Sequence, residues 1–385
     1  MSYIPYKTME QPIDGRLYAY SRRDTLEALI PTPFRSNHAV CMIELKNGDL
    51  LCVWFAGSDE GNGDISIVQS RFSSAAQCWS EAVQITHDAT RAEQNPSLFR
   101  HPNGDLWLVY PAQISRQELT GERFNLQYTA VVRRMVSHDE GETWSEPEQM
   151  FEETGVFCRQ PIQILSTGRW IFGNWICYND DTRNGSDISV VRISDDQGKT
   201  WRRVEIPASR GCVHANIVEL GDGTLTALFR SRAADHIYRS VSTDGGDHWT
   251  EPAATELPNN NSSIAAVSLG GSRIAVIYNE QSFNEDRNVV LWPFERSTVS
   301  LAVSEDGGVT WPWRRVVEPG EGFTGAANLR CNLRYEYPYI FRDSENNFHL
   351  SYTYASRICM KHVIVSPDWV FGQKQVWNGE CKMWV

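Results

Sequence analysis

The apolar positions of this chain fall in short runs rich in Val, Ile and aromatic residues, each entered through a polar turn. Asn47-Gly-Asp49 leads into Leu50–Phe55, and Asn103-Gly-Asp105 leads into Leu106–Tyr110. The same phrase recurs at Thr167-Gly-Arg169, Asp222-Gly-Thr224, Gly271-Ser-Arg273 and Asn346-Asn-Phe348. A turn followed by a β-branched or aromatic run predicts a hairpin and a short strand each time. No stretch carries the period of an amphipathic helix, so almost no helix is expected. Six such turns imply six structural units.

A second phrase closes the units. Ser137–Trp144, Ser194–Trp201, Ser242–Trp249 and Ser304–Trp311 all read S-x-D-x-G-x-[TH]-W. The Asp can accept from backbone N–H groups ahead of it, and the Gly supplies a positive φ, so the motif predicts a tight turn. The closing Trp then covers the hairpin with a large apolar surface. The first unit keeps only the end of the phrase, Cys78-Trp79-Ser80. Units of roughly 50–65 residues suit four strands each, as in the blades of a propeller. The last unit, from Tyr337, offers only three strands. The N-terminal run Leu17–Tyr20 is expected to supply the fourth and remove an open edge. The domains read as an N-terminal segment, 1–35, carrying that strand, and a single propeller over 36–385. The long segments Gln281–Ser297 and Gly320–Arg334 are expected to be loops serving the binding face.

Composition changes this picture little. The chain has 385 residues, and its 14 Trp, 14 Tyr and 15 Phe suffice for a core and for sugar-stacking surfaces. A net charge of −12 argues against nucleic acid and anionic membranes as partners, though not against a local arginine cluster for an anionic ligand. Nine cysteines are scattered, most of them in apolar runs and with no C-x-x-C pair, which predicts buried free thiols in a reducing compartment and no zinc. The start, Met1–Lys7, carries no apolar signal segment, so a cytoplasmic protein is expected, or a secreted one if a leader was removed. Nothing reads as a membrane span. Gln197–Thr200 resembles the end of a phosphate loop but lacks the earlier Gly, and a Trp hairpin follows where a helix should start. Asp59–Asp64 is rich in carboxylates, yet it fits no calcium-loop pattern and reads as a solvated turn. No cofactor is expected.

The four boxes, with six units of this length, resemble the sialidase (neuraminidase) superfamily with its Asp-box, or BNR, repeats. The resemblance spans about residues 36–368 and implies an all-β fold. That fold is a six-bladed β-propeller of four-stranded antiparallel blades whose first strands converge on a central site. Asn37-His-Ala39, Gln94–Phe99, Leu257–Asn261 and Lys361-His-Val363 are similar to a sialidase-like branch that includes lyases and hydrolases of rhamnose–glucuronate linkages. Against the sialidase pattern, the first strand here reads Ser36-Asn-His-Ala-Val40, with His38 where a clamp arginine would stand and Arg35 just before it. By resemblance Arg230 occupies another clamp position, and Tyr335-Glu-Tyr-Pro338 lies where the nucleophilic tyrosine is found. Asp59 or Asp64 lies in the loop that carries the acid/base.

If first strands meet at the axis, their opening residues form the pocket floor: Asn37 and His38, Gln94 and Asn95, Arg159 and Gln160, His214 and Asn216, Asn261 and Ser262, Tyr335 and Tyr337. Arg230 and Arg232, from a second strand, can reach the same space. Amides and hydroxyls suit sugar hydroxyls, and Arg takes a carboxylate in a bidentate fork. The catalytic candidates are His38, His214, Tyr337 and Asp64. The substrate-binding candidates are Asn95, Arg159, Gln160, Asn216, Arg230, Arg232 and Tyr335. In β-elimination, Arg neutralises a uronate while a His or Tyr moves the proton. In hydrolysis, carboxylates or a Tyr–Glu pair act across the bond, and Asp64, Glu280 or Glu336 could supply the carboxylate. The expected function is cleavage of a terminal linkage at an anionic sugar, of rhamnose–glucuronate type. The substrate would be an anionic oligosaccharide or glycoconjugate. The alternatives are an exo-α-sialidase and a non-catalytic glycan-binding propeller.

Overall fold

The computed structural model describes residues 11–21, 23–117, 126–324, 328–372 and 382–384. It is a ring of six sheets, each hydrogen-bonded from an inner strand outward and antiparallel except where Lys382–Trp384 adds parallel to Tyr18–Tyr20 at the edge of the last. Blade one runs Ser36–Glu44, Leu50–Gly57, Ser66–Ser73 and Cys78–Trp79. Blades two to five repeat the order, and their second strands are Leu106–Ile114, Trp170–Ile176, Leu225–Ser231 and Arg273–Asn279. Blade six is built from Glu336–Arg342, Phe348–Tyr354 and Cys359–Val365. All six second strands follow the turns read from the sequence. The one α-helix among the described residues is Asn328–Cys331, and no helix is long and apolar enough to cross a membrane.

The ring closes through the N-terminal segment, one strand later than expected. Thr25–Ile30 pairs with Cys359–Val365, and Tyr18–Tyr20 adds outside it as a fifth strand. Every residue of Thr25–Ile30 is buried. Its apolar pattern is interrupted in sequence by Glu27, whose carboxylate meets Lys361 Nζ at 2.6 Å. A charged residue in the middle hid a core strand. Glu318 of blade five accepts from the same ammonium at 2.8 Å, so one lysine ties the closing strand to two blades.

The boxes are the turns between third and fourth strands. Ser137 Oγ donates to Asp139 Oδ1 at 2.8 Å, and Asp139 accepts from Thr143 N at 2.8 Å and from Thr143 Oγ1 at 2.5 Å. The other three copies repeat these bonds. The sequence did not disclose that each box also abuts the preceding blade. Arg71 and Gln69 of blade one donate to the carbonyls of Glu140 and Gly141 at 2.6 and 3.0 Å, and Trp144 Nε1 donates to Gln69 Oε1. Gly141 has φ 84°, and a Cβ there would lie 2.7 Å from Leu51 Cδ2. Gly141→Ala therefore combines backbone strain with a clash across the blade interface. It is expected to lower unfolding free energy by about 1–3 kcal/mol in denaturant titration.

The box carboxylates also set an acid limit. Hydrogen bonds from Thr143 hold Asp139 down to about 2, and those from Thr200 do the same for Asp196. Backbone and side chain of His248 bring Asp244 to about 2. A carboxyl lowered in the native state stabilises the fold above its ordinary value of 3.8 and loses that contribution as pH falls towards 2. The thermal midpoint of the protein is expected to fall across that window, and less steeply for Asp139→Asn with Asp196→Asn.

Of the cysteines, Cys381 lies outside the described residues, as does the Met1–Lys7 start. The other eight are free thiols, and all but Cys78 are buried.

Candidate active site

The innermost strands share a local distortion at the axis. Backbone φ is positive at Ala39 (63°), Asn95 (41°), His214 (56°), Asn261 (56°) and Tyr337 (51°), one in each of five blades. The pairing register slips at three of these places, between His38 and Cys41, Val213 and Asn216, and Glu336 and Tyr339. A bulge re-aims side chains that would otherwise alternate across the sheet. In blade six it brings Tyr337 to the central cavity. Non-glycine residues in this region cost free energy, so the surrounding packing must hold them.

Above the axis opens a cavity of 1170 Å³. Tyr337 lies at its floor, and seven arginines line it: Arg35, Arg183, Arg232, Arg296, Arg330, Arg334 and Arg357. Asp59, Glu60, Asp180 and Asp181 are the lining carboxylates, and Trp292, Phe294, Tyr128 and Tyr178 add aromatic surface. In an acidic chain this is a local excess of positive charge, which suits an anionic ligand.

Tyr337 is cradled from below and from the side. Its ring lies 4.1 Å from that of His38 and 5.5 Å, edge-on, from that of His214. The guanidinium carbons of Arg230, Arg296 and Arg159 stand 5.3, 5.8 and 5.9 Å from its centroid. Arg230 Nη1 donates to Tyr337 Oη at 2.5 Å. Arginine only donates, so this oxygen accepts and its own proton is left for another partner.

Arg230 is fully buried, and no carboxylate among the described residues pairs with it. Nε donates to Asn261 Oδ1 at 2.8 Å, and Nη1 also approaches His214 Nε2 at 3.2 Å. Burial pushes its pKa down to about 9, while Tyr337 acts in the opposite sense. Nη2 is buried without a hydrogen-bond partner. A buried donor on a cation is costly to leave unmatched, and an incoming carboxylate is the group that satisfies it best.

The contacts fix the histidines' roles. Because Arg230 must donate, His214 Nε2 accepts, so Nδ1 carries the proton and donates to Ser263 Oγ at 2.9 Å. Trp175 stacks on the ring at 4.2 Å. Burial, then Arg230, keep His214 neutral far into the acid range. His38 Nδ1 lies 2.9 Å from Thr353 Oγ1 and 3.4 Å from Glu336 Oε2, and burial followed by Arg357 lowers its pKa. Neither ring lines the cavity. Both are placed behind Tyr337 and Arg230, as positioning residues and not as groups that reach a ligand.

Other candidates separate in the same way. Arg232 lines the cavity, bound to Asp187 Oδ2 at 2.9 Å and lying 4.9 Å from the Trp292 ring. Arg159 lies under the floor and donates to the Val40 carbonyl at 2.7 Å, which ties blade three to blade one. Gln160 donates to the Ile264 carbonyl, and Asn216 Oδ1 accepts from Ala266 N at 3.2 Å, so both join inner strands. Tyr335 is core, its hydroxyl on Asn332 Oδ1 at 3.0 Å. Asn95 holds the bulge of blade two, and Gln94 beside it lines the cavity. Asp64 folds back on Ser58, at 2.8 Å from its hydroxyl, and leaves Asp59 of the same loop at the cavity. The loop needed its carboxylate at 64 to close itself.

Sequence reasoning passed over Arg296, Arg334 and Arg357, which converge on buried Glu336. Arg296 Nη1 is 3.2 Å from Oε1, Arg357 Nε is 3.0 Å from Oε2, and Arg334 Nη2 also contacts Oε1. Despite burial, Arg357 first and then the other two hold Glu336 well below the usual carboxylate range. Glu336 is thus spent on structure. Two of the three arginines belong to the long loops expected on the binding face, which was the available signal.

Comparison with known proteins agrees with this architecture. Residues 48–350 match the family model described as a BNR repeat-like domain. A sialidase of Micromonospora viridifaciens is 32% identical over 308 residues, covering 71% of this chain and 45% of the relative. A sialidase of Bacteroides fragilis is 27% identical over 199 residues, covering 49% and 34%. The chain thus spans less than half the length of the curated relatives it matches. Among solved structures, a Hadza microbial sialidase superposes with a TM-score of 0.68 at 15% identity, covering 86% of this chain and 66% of that one. The chain belongs to the sialidase-like superfamily of BNR repeat-like proteins.

Proposed function

We propose that this propeller cleaves a terminal glycosidic linkage at a carboxylate-bearing sugar, a uronate in preference to a sialate. The observation that carries the reading is Tyr337 Oη, at the cavity floor and held by the otherwise uncompensated Arg230 at 2.5 Å. Arg230 is buried beneath the cavity lining, so the substrate carboxylate would reach its Nη2 past the Trp292 ring, 5.4 Å from the guanidinium, with Arg232 beside it. That fork fixes the sugar so that its reacting carbon faces Tyr337. In elimination, the Tyr337 oxygen takes the proton on the carbon beside the carboxylate. The electron pair forms a carbon–carbon double bond, and the neighbouring glycosidic C–O bond breaks. The leaving oxygen takes the hydroxyl proton that Tyr337 Oη gives up, so the tyrosine ends neutral as it began. Arg230 stabilises the charge that develops on the carboxylate.

A uronate is preferred because the first strand of blade one carries His38 where the sialidase pattern has an arginine, and Arg35 reaches the cavity only from the residue before that strand. His38 stands there, buried behind Tyr337, so a three-arginine clamp is not assembled in its usual register.

The exo-α-sialidase reading has its own support in the 32% identical sialidase and in Asp59 at the cavity edge. There Tyr337 attacks the anomeric carbon, Asp59 protonates the leaving oxygen, and water releases the sugar. Incubation with rhamnose- and glucuronate-capped oligosaccharides and with a fluorogenic sialoside separates the two. Ultraviolet absorbance of an unsaturated uronate is expected. Release of free sialic acid with no uronate product would replace the first reading by the second. No cleavage of any uronate- or sialate-capped glycan would remove both and leave a glycan-binding propeller.

A further inference from the structure

The cavity holds more positive charge than one substrate carboxylate needs, and the excess sits in a second place. Arg230, buried beside Tyr337, and Arg232, which lines the cavity, come from the second strand of blade four and its end. A separate wall is built from Asn328–Arg334 and the turn at Ser356–Arg357. Ser356 N donates to the Arg334 carbonyl at 2.9 Å, and Ser356 Oγ to the Arg330 carbonyl at 3.1 Å, so the two segments are stitched together. This wall presents Arg330, Arg334 and Arg357, with Arg296 at its foot. Among the described residues, two carboxylates answer these four cations. Glu336 is shared among Arg296, Arg334 and Arg357, and Glu60 meets Arg357 at 2.7 Å.

The cations are also incompletely bonded. Nε of Arg334 and Nε of Arg296 are buried without a hydrogen-bond partner. Arg330 is exposed at the cavity wall and makes no ion pair with any described carboxylate. Its guanidinium carries donors in a fixed fork and no lone pair, so only an acceptor can use it. The Phe294 ring lies 4.8 Å from the Arg334 guanidinium and closes one side of the wall with apolar surface. The whole cavity, at 1170 Å³, exceeds the space one sugar ring fills.

We propose that this wall is a second anion subsite, and that the substrate carries a second acidic group on the sugar next to the one held by Arg230. A carboxylate and a sulfate present the same acceptor oxygens to Arg330 and Arg334. The inference rests on the reading of the floor as the site of a carboxylate-bearing sugar.

Four probes test it by calorimetric titration of the full chain: glucuronic acid, a glucuronate disaccharide with a neutral second sugar, its O-sulfated form, and a di-uronate. The disaccharides with a second acidic group are expected to bind about tenfold more tightly than the neutral one, as a charge-assisted fork implies. Their affinity should fall more steeply with salt. Arg330→Ala should erase that preference, and Arg330→Glu should reverse it. Arg330 is exposed, so neither change disturbs the core. Equal affinity for neutral and acidic disaccharides would overturn the second subsite while leaving the floor reading standing. A preference that survives Arg330→Ala would overturn its assignment to this wall. A gain with the sulfated probe but not with the di-uronate, or the reverse, identifies which acid the wall takes and supports the subsite. No binding of any probe would overturn both readings.

Discussion

Tyr337→Phe is expected to lower turnover by at least about a thousandfold while leaving thermal stability close to that of the parent. The substitution removes one oxygen and keeps the ring that packs on His38 and His214. Whether the tyrosine acts as base or nucleophile, the reaction needs that oxygen. Binding should persist, because the carboxylate fork on Arg230 is intact, so the loss should appear in kcat and far less in KM. His38→Ala makes the informative contrast. It removes a ring that supports Tyr337 without touching a ligand, and it should lower stability along with activity. Equal activity of Tyr337→Phe and parent, in a folded protein, would remove Tyr337 from the chemistry.

Arg230→Ala carries the other large effect. Truncating a buried, hydrogen-bonded charge that pairs with a ligand carboxylate costs about 2–5 kcal/mol of binding. The loss should be confined to carboxylate-bearing sugars. The change also strips Tyr337 Oη, Asn261 Oδ1 and His214 Nε2 of their shared donor. Arg230→Lys should restore little, because an ammonium is a point charge and cannot bridge three acceptors while forking to a carboxylate. Affinity for a uronate and for its carboxyl-reduced alcohol separates the two contributions. Arg230→Ala is expected to abolish the difference between them. A difference that remains would place the carboxylate elsewhere, with Arg296 and Arg232 the nearest alternatives.

The fold was legible because propeller blades repeat local rules. A Gly turn, a short β-branched run and an Asp-centred turn recur at a fixed order, so neighbours in sequence are neighbours in space. The closing strand escaped because Glu27 breaks its pattern, and its partner Lys361 is remote in sequence. His38, His214, Arg230 and Tyr337, which share no motif, are neighbours in the structure because the ring's register brings their strands together. That register could not tell which side of a bulged strand faces solvent, since a bulge overrides the two-residue alternation. Tyr337 therefore reaches the cavity while His38 and His214 face into the protein behind it. The wall arginines escaped for a different reason. Arg296, Arg334 and Arg357 come from loops and turns, where no period fixes direction, and only their convergence on Glu336 gives them meaning.

The most direct test compares matched glycans that differ only at the carboxyl group of the sugar at the cleaved linkage. Rhamnose-capped glucuronate oligosaccharides and sialate-capped oligosaccharides, and the same molecules with that carboxyl reduced to the alcohol, are incubated with the protein and the released sugar is measured. The account expects cleavage of the carboxylate forms, the uronate foremost, and loss of it on reduction. Equal cleavage of the reduced forms, or cleavage of none, would contradict the central claim that Arg230 and Tyr337 act together on a carboxylate-bearing sugar.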